Sequence, residues 1–258
     1  LTGLNRRTIM GGDAPSYRGP HQIREYYEAA NRVLKRKVRG VTKIQPCPYP
    51  EDSQRHFLTL WAAACREGEG IMLDPAQWKI TGDSLGYKKM PILKKREKVR
   101  DANGEIIYKK ITSKVIQQDG SIQDEVIYRP LTKRKLEYRE HVISRDMPCI
   151  EEFIQVLDHL TEQGYKYILH KYAPFDRHPI KDRPCSTTIV QDRINELHPE
   201  LFPHAVRALH IRYMRVTHGS KFDAAFLKDY LKWSSTEMAN YYLSGQEVAD
   251  RLGITNPF

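Results

Sequence analysis

Apolar positions recur along this chain with two different periods. A spacing of three and four, the mark of a helix with one buried face, appears first in His21–Arg39, where Ile23, Tyr26, Tyr27, Ala30, Val33 and Leu34 align. That stretch ends in the basic run Lys35-Arg36-Lys37-Val38-Arg39 before Gly40, which predicts one helix with a glycine stop. Behind the stiff connector Cys47-Pro48-Tyr49-Pro50, Ser53–Cys65 sets Phe57, Leu58, Leu60, Trp61 and Ala64 on one side, with Asp52 or Ser53 as its cap. Further helices are predicted over Cys149–Gln163, from Ser186, Thr187 or Thr188 to about Leu197, over Ala205–His218 up to Gly219, and over Phe222–Leu231. In the last of these Phe222, Ala225, Phe226, Tyr230 and Leu231 are expected to face inward. Ser234 or Ser235 then opens a helix that carries Tyr242, and Gly245–Leu252 closes the chain as a short amphipathic segment.

The period changes between Gly82 and Arg145. Asp101-Ala102-Asn103-Gly104 and Gln118-Asp119-Gly120-Ser121 are turn signals, and Ile106–Ile116, Val126–Tyr128 and His141–Ile143 read as strands. Tyr165–His170 is expected to be a short strand and Arg177–Pro184 a basic loop. The fold class is therefore α+β: mostly helical, with a small antiparallel sheet.

Of the 258 residues 40% are hydrophobic, enough for a core, and no apolar run approaches the ~20 residues of a membrane span. The net charge of +10 with a pI near 9.3 favours a polyanionic partner, most simply nucleic acid. Cys47, Cys65, Cys149 and Cys185 are scattered without metal-ligand spacing. Cys65 is expected in the core and the others as free thiols of a reducing compartment.

The densest chemistry lies in His204–Leu243. His204 and Arg207 are three apart and share a helix face. Arginine presents a planar fork matched to phosphate oxygens, histidine moves protons near neutral pH, and a positioned tyrosine is a covalent nucleophile. With the indole N–H of Trp233 and the pair Tyr241-Tyr242, these residue types suit work on a phosphodiester.

His204-Ala-Val-Arg207, Leu231-Lys232-Trp233 and Tyr242, nine positions beyond Trp233, resemble the H-x-x-R, L-x-W and tyrosine of the tyrosine recombinase (phage integrase) catalytic domain. Where that family has Gly-His, this chain has Lys232-Trp233. Arg66-Glu67-Gly68-Glu69 through Leu73 resembles the family's "T-G-x-R-x-x-E-x-x-x-L" box, with Ala64-Cys65 in place of Thr-Gly. Thr132-Lys133…Arg139-Glu140-His141-Val142 resembles the segment that carries the family's lysine. The resemblance implies a site-specific DNA recombinase or integrase of a mobile element, acting in the cytoplasm on DNA, of prokaryotic, viral or plasmid origin. Arg66 and Arg207 would neutralise the phosphate, His204 would be the base, and Trp233 a donor. Tyr242 would be the nucleophile with Tyr241 its rival, and Lys133 the acid with Lys94 and Lys95 as alternatives. It implies no cofactor and no metal, duplex DNA as partner, and a homo-oligomer, a tetramer, on that DNA. Residues 1–45 would be an N-terminal helix and linker, a possible remnant of a DNA-clamping domain. Residues 46–258 would be the catalytic domain, with an extended β insertion over about 82–145. A type IB topoisomerase-like relaxase and a catalytically silent DNA-binding module are the alternatives.

Overall fold

The computed structural model of the chain describes residues 15–38, 41–116, 122–174, 178–233, 236–237, 239–240 and 242–243. The architecture is mixed α+β, helices with small antiparallel sheets, as the two periods predict, though the strands hold nearly as many residues as the helices. Its helices are α1 (Pro20–Glu28), α2 (Pro50–Ala63), α3 (Glu67–Gly70), α4 (Ile150–Glu162), α5 (Thr187–Leu197), α6 (Pro203–His218) and α7 (Ala224–Tyr230). Its strands are β1 (Leu34–Val38), β2 (Val41–Gln45), β3 (Trp78–Thr81), β4 (Ser84–Lys98), β5 (Tyr108–Ile116), β6 (Ile122–Pro130), β7 (Thr132–Ser144), β8 (His170–Tyr172) and β9 (Pro179–Pro184). They form one three-stranded sheet in the order β3-β4-β7 and three hairpins, β1-β2, β5-β6 and β8-β9. The chain divides into two compact units, Leu1–Pro91 with Tyr138–Phe258, and Ile92–Glu137.

In the larger unit α2 is the central element. Ten of its fourteen residues are buried, and α4, α5 and α6 pack around it. Pro50 occupies its first turn, where a missing N–H costs nothing, and Tyr49 precedes it without a side-chain cap. Asp52, an expected cap, is instead buried in a charge network: it pairs with Arg55, accepts the Tyr172 hydroxyl at 3.0 Å and lies 3.4 Å from Arg193 Nε. α6 is buried on two sides. Val206, Leu209 and Tyr213 join the main core, while Ala205, Ala208 and Ile211 join a second cluster with Phe222, Leu227, Leu231, Trp233 and Tyr242.

The single helix expected over His21–Arg39 is not formed. α1 ends at Glu28, a 3₁₀ turn covers Ala29–Asn31, and Leu34–Val38 is a strand paired with Val41–Gln45. The β-branched residues Val38, Val41 and Thr42 favour the hairpin, and Arg36 explains what is gained. Its side chain is fully buried and donates to the carbonyls of Glu196 (2.7 Å), Leu197, Ala29, Arg32 and Gln45 (3.1 Å). All but that of Gln45, in β2, close α5 and the first helical segment, so a cation sits where helix ends leave acceptors unpaired.

Other expectations are adjusted. β8 is His170–Tyr172 rather than Tyr165–His170, and the expected basic loop contains β9. Both are held by pairing with each other rather than by an apolar face. Phe222 and Leu231, which flank α7, and Leu227 within it are buried and Tyr230 is half-buried, but Ala225 and Phe226 are exposed; Asp223 rather than Phe222 starts the helix. Ser186 caps α5 by accepting Ile189 N–H, as expected. Gln118–Ser121, Ser234, Ser235, Tyr241 and Gly245–Leu252 lie outside the described residues.

In the smaller unit β5 and β6 pair in continuous register from Tyr108↔Pro130 to Ile116↔Ile122. The expected turn at Asp101–Gly104 is present. The Asp101 carboxylate accepts the N–H groups of Asn103 and Glu105, both at 2.9 Å, which is how aspartate closes turns.

Candidate active site

The site of interest is built at the end of α2. The last four carbonyls of a helix have no partner within it, and here three of them are bound by side chains from elsewhere. His210 Nδ1–H donates to Trp61 O at 2.6 Å, His141 Nε2–H to Ala62 O at 2.7 Å, and Arg139 Nη2 to Ala63 O at 2.9 Å. A carbonyl only accepts, which fixes both histidine tautomers. His141 Nδ1 then accepts the Tyr230 hydroxyl at 2.7 Å, and the Arg139 guanidinium lies 4.8 Å over the Tyr230 ring. Burial holds His210 down at about 3 and His141 well below the usual imidazole range, so both are neutral packing groups.

After this clamped end the chain turns sharply. Ala64 is left-handed (φ 47°, ψ 36°) and Arg66 is extended. The bend drops Arg66 at the start of α3, where the Glu69 carboxylate accepts its backbone N–H at 2.9 Å. The same Glu69 oxygen lies 3.3 Å from Arg207 Nη1, with both side chains about 95% buried. One carboxylate thus ties the segment bearing Arg66 to the helix bearing Arg207. Arg66 is in electrostatic reach of Arg207, Glu69 and Tyr242. Burial and then Arg207 push its guanidinium below its ordinary value, while Glu69 and Tyr242 act against them.

Trp233 and Tyr242 complete the group. The Arg207 guanidinium lies 5.4 Å from the Trp233 ring centre, and Trp233 stacks on Tyr242 with ring centres 5.1 Å apart and planes 23° apart. Lys232, where the recombinase family carries glycine, is left-handed at φ 52°. Glycine is favoured at such a place because it lacks the Cβ that strains the conformation. Tyr242 is anchored through its carbonyl, which accepts Arg212 Nε at 3.4 Å. Arg207 Nε and Trp233 Nε1 are both buried and have no hydrogen-bond partner among the described residues. Two such buried donors are costly unless a ligand takes them.

His204 lies one turn before Arg207 on α6. Its Nδ1 is 3.9 Å from Glu67 Oε2, an oxygen that is buried and accepts no hydrogen bond among the described residues. Burial pushes the imidazole below its ordinary value; Glu67 pulls it up, and Arg207 and Arg66 push it down. The net direction favours the neutral imidazole.

The structure therefore brings Arg66, His204, Arg207, Trp233 and Tyr242 together within the larger unit. Lys133 is exposed at the start of β7 in the smaller unit, in a surface groove with Glu97, Lys98, Val99, Lys135 and Leu136. Lys94 and Lys95 also belong to that unit, and their side chains lie outside the described residues. Glu67, Arg139, His141 and Arg212 carry structural parts of the site that the sequence reading did not assign. Arg139 and His141 stand inside the segment that resembles the family's lysine region, and Glu67 inside the Arg66–Leu73 box, so a signal existed for these three. Among the described residues no group of three or more His, Cys, Asp or Glu is placed to hold a metal ion, and no helix is long and apolar enough to cross a membrane.

No family model and no curated protein matches the chain. Among solved structures it is similar to XerH site-specific recombinase bound to palindromic difH substrate in a post-cleavage complex. The identity there is 9% and the TM-score 0.48, covering 98% of this chain and 56% of that one. It is also similar to XerH bound to difH in a pre-cleavage complex, at 8% identity and TM-score 0.45, covering 93% and 54%. The chain spans about half the length of these recombinase chains.

Proposed function

We propose that this chain cleaves and rejoins duplex DNA through a tyrosine–phosphate bond, as a site-specific recombinase of the tyrosine type, with residues 46–258 carrying the chemistry. The observation that supports it most is the pair of buried donors without a partner among the described residues, Arg207 Nε and Trp233 Nε1, with Trp233 stacked on the Tyr242 ring. A phosphodiester has two non-bridging oxygens that need such donors, and more so as charge gathers on them in a pentavalent transition state. In this reading the Tyr242 oxygen attacks phosphorus while His204 takes its proton. The P–O bond to the 5′ oxygen breaks, and that oxygen takes a proton from Lys133, with Lys94 and Lys95 the alternatives. Arg66 and Arg207 hold the non-bridging oxygens throughout. The phosphate stays activated as a tyrosyl ester, so reversal by an incoming 5′-hydroxyl needs no ATP. Exchange between two duplexes breaks four strands, which calls for four copies of the chain if each supplies one tyrosine.

The test is incubation with nicked duplexes carrying candidate sites, followed by a denaturing gel and peptide mapping. The wild type is expected to form an adduct at Tyr242, and Tyr242→Phe, which keeps the ring stack, is expected to bind DNA equally but form none. Plasmid relaxation without strand exchange would mark a topoisomerase, and a gel shift without any adduct a silent binding module.

The pH profile gives a second check. His204 acts when neutral, and its affinity for protons is held below the ordinary 6.5 by burial. The acid limb of cleavage is therefore expected below pH 6.5. Glu67 pulls the value up, so Glu67→Gln should move the limb to still lower pH and slow cleavage above it, because a weaker base takes the proton less readily. An acid limb that is unmoved in Glu67→Gln would remove Glu67 from this role.

A further inference from the structure

β5 and β6 form a ribbon of nine paired positions, about 30 Å long at the usual ~3.4 Å per residue. Residues directly opposite in an antiparallel pair point to the same face. One face therefore sets Lys109 against Arg129, both exposed and neither in an ion pair among the described residues. The other sets Lys110 against Tyr128, with Tyr108 and Val126 two positions away on either side, all exposed. Like charges directly opposite destabilise a free ribbon, and a two-stranded ribbon is marginal in water to begin with. The surrounding segment Ile92–Glu137 holds twelve Lys and Arg against seven Asp and Glu. Two cations directly opposite each other on one face, with Glu125 four residues from Arg129 along it, and a lysine between tyrosines on the other make a surface that fits a polyanion.

We propose that this ribbon is a DNA-binding arm that lies in the major groove of a B-form duplex. The proposal rests on the reading of the chain as a DNA-acting enzyme and names a surface that reading leaves open. The B-form major groove admits a two-stranded ribbon, and the deep, narrow major groove of A-form RNA does not. Lys109 and Arg129 would reach the phosphates along the groove wall. Tyr108, Tyr128 and Val126 would lie against base edges and thymine methyl groups, with Lys110 between them.

The experiment compares the full chain with Lys109→Gln/Arg129→Gln on a mixed-sequence DNA duplex. A second duplex carries glucosylated 5-hydroxymethylcytosine, which fills the major groove. Each neutralised phosphate contributes about 0.9 to the slope of log affinity against log salt. The double variant is expected to lose about two units of slope and roughly ten- to a hundredfold in affinity at low salt. Its melting temperature should equal or exceed that of the wild type, since a like-charge pair has gone. The wild type is expected to bind the glucosylated duplex more weakly than the plain one, and the variant to show a smaller difference. An unchanged salt slope, an equal response of both proteins to groove filling, or a concentration-dependent self-association lost in the variant would overturn the proposal. Tyr242→Phe, which leaves the ribbon intact, should keep the full slope. A wild type that shows the groove effect but forms no adduct would sink the catalytic reading and leave the ribbon standing. An adduct-forming wild type whose ribbon variant binds normally would do the reverse.

Discussion

In the proposed reaction, Arg207→Lys is expected to lower the rate of DNA cleavage about 10²–10³-fold and to leave duplex affinity within a few-fold of the wild type. The expectation follows from what arginine does at this place. One edge of the guanidinium engages Glu69 at 3.3 Å, its carbon lies 5.4 Å from the Trp233 ring centre, and Nε is buried without a partner among the described residues. The first two contacts hold the group still, and the third is what a phosphate oxygen would take. Lysine keeps the charge beside the buried Glu69, so the variant should fold, but it lacks the planar fork. Loss of one preorganised donor to developing negative charge typically costs that range in rate. Single-turnover cleavage of a nicked duplex measures it. A lysine variant cleaving within about threefold of the wild type would mean that Arg207 is a structural partner of Glu69 and nothing more.

Arg36→Met destabilises the protein by about 3–5 kcal/mol, the usual scale when one member of a buried polar constellation is removed. Methionine fits the volume but satisfies none of the five carbonyls that Arg36 now binds. Four of them belong to the ends of two helical segments, whose dipoles also lose their cation. The measurement is thermal unfolding, with a drop in Tm of roughly 10 °C expected for a chain of this size. A shift under about 2 °C would show that water replaces the guanidinium easily and that the hairpin is an appendage.

These two arginines also show where sequence reading works. Arg207 was legible because chemistry comes in sets: its partners recur at spacings that helices enforce, and Trp233 and Tyr242 follow at intervals the fold needs. The amphipathic helices were legible for a similar reason, since α2, α4 and α6 each carry a continuous apolar stripe. Arg36 was misread because a basic run at a helix end looks solvated. Its five acceptors come from residues as distant as Leu197, and no local pattern announces them. The same holds for the end of α2. No local pattern marks His210, His141 and Arg139 for a common task, which emerges only when α6 and β7 meet consecutive carbonyls at the end of α2. Asp52 is the converse case, a residue of good capping type drawn into Arg55, Tyr172 and Arg193.

Tyr242 rests 3% exposed, its ring flat against an indole and its main chain gripped by Arg212. In the proposed reaction, an attacking oxygen stored this way is shielded from bulk water. It meets phosphorus only when a bound strand supplies acceptors for the indole and guanidinium N–H groups and makes opening the stack worthwhile. Substrate arrival and nucleophile release then become a single event, which guards a genome against stray nicks without any separate inhibitor.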